Sequence, residues 1–186
     1  FTEGRNNSLG FDFPNLPYLI DGDYKLTESS AIPTYLALKA GRQDLLGSTI
    51  QEQSTLKMLE GVFSDLRSSW QKVVWADSNH AEAASQFLSK EKGDGFYALH
   101  KLSAFLGEKE YFLGHLTTFD FAFAYFLPFV LVVAKSLEVP FDTTEFKNLI
   151  ALSQRIPQLP GVKEVVEARA EVPMVPPGML KFEIKP

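Results

Sequence analysis

Two short stretches near the front of the chain combine residue types and spacing that could hold an extended peptide. The first is Asn15-Leu16-Pro17, just ahead of a short apolar run at residues 18–20. Proline cannot donate to a sheet ladder, and a cis X–Pro bond is one way to turn the preceding backbone outward. With Leu16–Pro17 in that form, Leu16 would present a free N–H and C=O in a groove, the groups with which an extended peptide pairs as a strand does. A plain turn proline accounts for the same residues. The second stretch is Glu28-Ser29, where an extended run gives way to a helical pattern. A helix N-terminus offers unpaired N–H groups and the positive end of the helix dipole, so it suits a carboxylate. Ser29 would add a hydroxyl donor and Glu28 could accept from an ammonium group, and the amino-acid end of a peptide has both charges. Simple capping of the helix is the competing account. A third group, Thr117-Thr118-Phe119-Asp120, reads as structural. Thr117 suits an N-cap and Asp120 the N3 position of a capping box, with Leu116 and Phe121 as a flanking hydrophobic staple.

The elements that must position these residues follow from turn signals and periodicity. Residues 18–20 and 25–27 flank Asp21-Gly22-Asp23, and an Asp-Gly turn between two short strand-like runs predicts a hairpin. Residues 29–38 carry a helical pattern, with Pro33 near its first turn and Gly41 placed to end it. Residues 49–75 form one long amphipathic segment, with Leu56, Leu59, Phe63, Leu66 and Trp70 at helical spacing. Further helices are predicted at 81–88, 96–106, 117–137, 143–156 and 162–169, with Gly93 and Gly95 separating the first two and Gly107 as a C-cap. The Pro-rich tail, 173–186, reads as irregular, though 180–184 could pass for a strand. A hairpin and one helix cannot bury both faces of a sheet alone, so further strands are expected. The first residue is Phe1, and the opening is polar and Gly/Asn-rich without the marks of a signal peptide, so the chain is expected to lack its true beginning.

Composition narrows the chemistry. The chain has 186 residues, 45% hydrophobic and 22% charged, which is ordinary for a folded protein. The net charge of −5, with no basic run, argues against a nucleic-acid partner. There is no cysteine, hence no disulfide, thiolate metal site or cysteine nucleophile. His80, His100 and His115 lie too far apart for helical metal-ligand spacing, so no metal is expected. The longest apolar run, 121–134, contains Pro128 and falls short of the roughly 20 residues of a membrane span, so it reads as a buried core helix and no membrane partner is expected.

Three separated motifs carry a family resemblance. Phe13-Pro14-Asn15-Leu16-Pro17-Tyr18-Leu19-Ile20-Asp21-Gly22, followed by Leu26-Thr27-Glu28-Ser29-Ser30-Ala31-Ile32 and Tyr35-Leu36-Ala37, resembles the heart of a glutathione transferase N-terminal domain, of a kind close to the mu class. Glu60, Val62, Asp65 and Arg67 resemble that class's first long bundle helix. Phe112-Leu113-Gly114, Leu116-Thr117 and Asp120-Phe121 resemble the family's folding signature.

The resemblance implies an α+β chain: part of a thioredoxin-like glutathione-binding domain at 1–41, a linker at 42–48, and an all-helical domain with an irregular tail at 49–186. It implies a cytoplasmic homodimer, with glutathione as co-substrate and small hydrophobic electrophiles as acceptors. Asn15, Leu16 and Pro17 would line the glutathione site, with Leu16 pairing with the cysteinyl backbone. Glu28, where the mu class usually has Gln, and Ser29 would hold the γ-glutamyl end. Asp65 would reach the amino group of glutathione on the partner subunit. Asn6 or Arg5 would stand where the class grips the glycyl carboxylate. Phe13 matches an aromatic key that enters the partner. Trp75 falls where the class has a Tyr near the electrophile, and the acceptor site would lie between the domains, lined by the 64–75 face from Ser64 to Trp75 and by the tail around Met174 and Met179. The family activates the thiol with a hydroxyl at the end of its first strand. That βαβ segment of roughly 30 residues or more is expected ahead of Phe1, so the catalytic residue is unknown here, and Tyr18, Tyr24 and Tyr35 sit in other elements. A glutathione-dependent isomerase or peroxidase, and a non-catalytic binding or structural protein of the same fold, are the alternatives.

Overall fold

The computed structural model describes residues 8–172 together with 180, 182 and 184. The chain divides into two compact units, Phe1–Gln53 and Ser54–Pro186.

In the first unit, β1 (Tyr18–Asp21) pairs antiparallel with β2 (Tyr24–Thr27), with Tyr18 opposite Thr27 and Asp21 opposite Tyr24. Only Gly22-Asp23 is left to connect them. Gly22 takes φ +60°, the left-handed backbone that a type II′ turn asks of its first central residue. No other strand occurs among the described residues. Helix α1 (Ala31–Lys39) packs on β2 and starts later than the residue pattern predicts. The delay has a cause: the Glu28 carbonyl accepts both the Ala31 and Ile32 N–H groups at 3.1 Å, so Ser30 becomes the N-cap. At the other end Gly41 is left-handed, φ +68°, as a helix stop requires. The Tyr35 hydroxyl donates to Asp21 Oδ2 at 2.5 Å and Lys39 pairs with the same carboxylate, tying α1 to the hairpin turn. The predicted linker contains one 3₁₀ turn, Gln43–Leu46.

Among the described residues the regular elements of the second unit are helices: α2 (Ile50–Val74, whose first residues belong to the first unit), α3 (His80–Phe87), α4 (Asp94–Leu106), α5 (Thr118–Ser136), α6 (Lys147–Arg155) and α7 (Val162–Ala168). Its core is aromatic and leucine-rich. Phe63 of α2 meets Phe119 and Phe126 of α5 edge-on at 5.6 and 5.2 Å, and Phe112 meets Phe119 and Phe123 at 4.8 and 5.3 Å. Such geometry adds about 0.5–1.5 kcal/mol per pair beyond burial. By length and composition α5 could cross a membrane, but half of its most apolar window is buried inside this unit. Asn148 of α6 closes the end of α4: its amide donates to the carbonyls of Ser103 and Gly107 at 2.8 and 3.0 Å and accepts the Ser103 hydroxyl at 2.7 Å.

Two predicted details differ. The single helix expected at 143–156 is a 3₁₀ turn (Thr144–Phe146), α6, and a second 3₁₀ turn (Ile156–Gln158). Asp142 accepts the N–H and hydroxyl of Thr144 at 2.9 and 2.7 Å, a local bond that competes with helix, and Pro157 lacks the N–H needed to continue α6. In the tail, the described residues 180, 182 and 184 are in no strand, in keeping with the irregular reading, and Leu180, Phe182 and Ile184 pack on the helical core. Gly95 does not separate two helices. It lies inside α4, where a Cβ would stand 2.2 Å from Cε1 of Phe87. Phe87 cannot retreat easily, because its ring rests on Trp70 at 5.0 Å and both are buried. Gly95→Ala gains about 1 kcal/mol of helix propensity against about 1–3 kcal/mol of overpacking. The expected result is a net loss of about 1 kcal/mol, read from a lowered urea midpoint at unchanged slope; a raised midpoint would refute the close approach.

Candidate functional site

Continuing the hairpin register one pair past Tyr18 and Thr27 sets Pro17 opposite Glu28. The two candidate stretches, 13 residues apart along Asn15 and Glu28, therefore meet in space. Asn15 joins them. Its Nδ2 donates to Glu28 Oε1 at 3.0 Å while its Oδ1 accepts the Leu16 N–H at 2.9 Å. Each end of the amide faces a partner of the opposite polarity, which fixes the side chain's orientation. The Leu16–Pro17 peptide is cis. The Leu16 N–H is not free as the sequence reading expected, because the side chain one residue back takes it. Its carbonyl accepts nothing from another described residue, and its side chain is exposed.

The backbone beneath is held from behind. Thr27, buried at the end of β2, donates its hydroxyl to the Phe13 carbonyl at 2.8 Å. That leaves the Phe13 ring 77% exposed. Glu28 adopts φ +77°, a left-handed backbone that costs a non-glycine residue about 1–3 kcal/mol. The kink turns the chain so that Glu28 both accepts the first helical N–H groups with its carbonyl and holds its carboxylate toward Asn15. Ser29 and Ser30 follow at the exposed start of α1. The Glu28 side chain uses one oxygen on Asn15; the second is a further acceptor for a cation, beside the positive end of a helix. The arrangement sets an anionic acceptor beside a helix start, with a strand-like backbone edge next to it.

The remaining candidates lie on α2 or outside the description. Asp65 and Ser64 are exposed on α2. Trp75, 40% exposed, stands just past the helix end, its N–H still donating to the Gln71 carbonyl at 2.9 Å. Eleven positions separate Ser64 from Trp75, about three turns, so they share one side of the helix some 16 Å apart. Asn6, with Arg5, Met174 and Met179, lies outside the described residues. Among the described residues no group of three or more His, Asp or Glu could hold a metal ion.

The structural cap forms with one addition. Asp120 and Thr117 are both fully buried. Asp120 Oδ2 accepts the N–H and the hydroxyl of Thr117 at 2.8 and 2.7 Å, and Oδ1 accepts the Phe112 N–H at 3.0 Å. One carboxylate thus starts α5 and pins the loop before it. Burial pushes its pKa up, against the pull of those hydrogen bonds. Sequence reasoning missed the Phe112 bond, the Asn15 bridge and the Thr27 anchor. None has a local signature, and only the register and the loop path bring the partners together.

Comparison with known proteins places the chain in a family. Residues 5–38 match the glutathione S-transferase N-terminal domain, and residues 64–169, more than half the chain, match the glutathione S-transferase C-terminal domain. The chain belongs to the glutathione S-transferase family. It is 32% identical to the class-mu 26 kDa isozyme of Schistosoma mansoni, over 86% of this chain and 68% of that protein. It is 38% identical to glutathione S-transferase 2 of Gallus gallus, over 65% of this chain and 51% of that one. Among solved structures, the glutathione S-transferase Blo t 8 superposes with a TM-score of 0.72 at 29% identity, covering 88% of this chain and 72% of that one. The chain thus spans about half to two-thirds of the length of these curated relatives. Within a glutathione S-transferase, the hairpin and α1 are part of the thioredoxin-like domain, and α2–α7 form the helical one. The likeness to the mu class runs through several relatives at 31–34% identity.

Proposed function

We propose that this protein conjugates glutathione, through its thiolate, to small hydrophobic electrophiles, acting as a cytoplasmic homodimer in detoxification. The observation that carries the reading is the Asn15 bridge. It brings the strand-like edge at Leu16 and the charged helix start at Glu28-Ser29 into one seat, which suits an extended tripeptide with a zwitterionic end. In this reading the Leu16 carbonyl receives the cysteinyl N–H, and the cysteinyl carbonyl takes the Leu16 N–H from Asn15. Glu28 faces the γ-glutamyl ammonium and Ser29 its carboxylate. Asp65 serves the partner's glutathione, while Trp75 and Ser64 face the electrophile. The sulfur attacks an electrophilic carbon as thiolate, a halide or similar group departs, and the thiol proton passes to solvent. A hydrogen bond to the sulfur favours the thiolate; no residue among 1–186 is assigned that role, and the Tyr35 hydroxyl is committed to Asp21. The absence of cysteine fits a reducing compartment.

The test is calorimetric titration with glutathione, together with turnover of a chlorodinitrobenzene-type electrophile by the purified protein. Absence of both would end the proposal. Glu28→Gln keeps one acceptor oxygen for Asn15 while removing the charge and turning the second oxygen into an NH2 donor. It is expected to weaken glutathione about tenfold, the size of one exposed charge-assisted contact near 1.5 kcal/mol, and to flatten the salt dependence of binding. Equal affinity and equal salt response in both proteins would remove Glu28 from the seat.

A further inference from the structure

We infer that Asn15 is a positioning residue that couples the two ends of the proposed seat: a ligand's peptide backbone at Leu16 and its ammonium at Glu28 each strengthen the binding of the other. The inference rests on the glutathione reading of that seat. One planar amide serves both ends. Its Oδ1 accepts the Leu16 N–H at 2.9 Å, and its Nδ2 donates to Glu28 Oε1 at 3.0 Å. The backbone on either side is fixed. Pro14 and Pro17 bracket Asn15-Leu16 and restrict that stretch. Thr27 holds the Phe13 carbonyl at 2.8 Å, and the Glu28 carbonyl accepts the Ala31 and Ile32 N–H groups at 3.1 Å. Asn15 itself is exposed, so its amide is the part that can turn.

The coupling follows from an exchange of partners. A ligand carbonyl that takes the Leu16 N–H leaves Asn15 Oδ1 without its donor, and that loss weakens the carbonyl's own binding. An ammonium repairs it. The ammonium brings three donors, and Oδ1, kept beside Glu28 by the Nδ2 bond, becomes a second acceptor next to the carboxylate. In the other order, an ammonium that draws Oδ1 away frees the Leu16 N–H for the carbonyl. Each end therefore gains from the other by the same factor. Peptides carrying both features are selected over peptides with either alone by more than the separate contacts supply.

Two fragments of the tripeptide separate the ends. Glycine supplies the zwitterionic head and N-formyl-S-methylcysteinylglycine the rest, with the methylenes between them left out so that both fit at once. Titration of each fragment, alone and with the other saturating, is followed by NMR. In the wild type each is expected to bind about threefold more tightly when the other is present, the worth of one exposed hydrogen bond. In Asn15→Ala the factor is expected to fall to one. The formyl peptide alone should bind that variant at least as tightly as it binds the wild type, because the Leu16 N–H no longer has to be taken from Asn15. A side chain that merely shaped the loop would give the opposite, weaker binding of the peptide alone, and that result overturns the inference. So does a factor of one or less in the wild type, or a factor that survives in Asn15→Ala. Glutathione that fails to bind the wild type refutes the reading of the seat, whereas glutathione that binds, with uncoupled fragments, refutes the coupling alone.

Discussion

Asp120→Ala is expected to destabilise the helical unit by about 3–5 kcal/mol, several unsatisfied buried groups at once. The carboxylate accepts three hydrogen bonds from two residues, Phe112 and Thr117. Alanine would strand two backbone N–H groups and a hydroxyl in a site from which water is excluded, since Thr117, Phe112 and Asp120 are each 0% exposed. A surface N-cap loss costs only about 1 kcal/mol, so the excess over that figure measures the loop-pinning role. Urea unfolding with an unchanged slope checks it, and a loss near 1 kcal/mol would show that the Phe112 bond carries nothing.

The same carboxylate predicts a pH dependence of definite sign. Its folded pKa is raised from the ordinary 3.8, with burial the largest cause. The folded state therefore holds the proton more tightly than the unfolded one. Its contribution is full below the ordinary carboxylate pKa, falls as pH rises through the window up to the raised value, and stays at its reduced level above it. The difference in unfolding free energy between the wild type and Asp120→Asn should shrink with rising pH across that window and then flatten. A difference that grew would mean that the hydrogen bonds outweigh burial.

How much of this was legible beforehand varies by residue for physical reasons. The Asp-Gly turn, the long amphipathic α2 and the Thr117–Asp120 box are local, each written within a few neighbouring residues, and each forms. Gly95 was misjudged because its role depends on Phe87 and Trp70 from two other helices, and glycine's common use as a breaker is the local signal. The Leu16 N–H was expected free because the register of a hairpin says nothing about which side chain will reach back to it. Asn15 does so only because Glu28, 13 residues on, orients the other end of its amide. Motif resemblance therefore nominated the candidate residues of the proposed seat. Their mutual geometry required the fold.

In the proposed homodimer, Phe13→Ala is expected to weaken self-association about 10⁴-fold, from roughly 3 kcal/mol per truncated ring counted twice in a two-fold pair. The ring's exposure is imposed rather than incidental. Thr27, itself buried, fixes the Phe13 carbonyl, and Pro14 restricts the backbone of the residue before it, so the side chain is presented outward on a stiff support. A rigidly held aromatic loses little conformational freedom when it is covered, which is what an anchor needs. Thr27→Val separates the support from the ring: it keeps Phe13 and removes only the hydroxyl, and should cost association about 1 kcal/mol per subunit through looser presentation. Sedimentation equilibrium of the two variants against wild type decides the matter. A dissociation constant unmoved by Phe13→Ala would assign the ring to some other contact, and a Thr27→Val effect as large as that of Phe13→Ala would show that the hydroxyl supports the fold of the hairpin rather than the placement of the key.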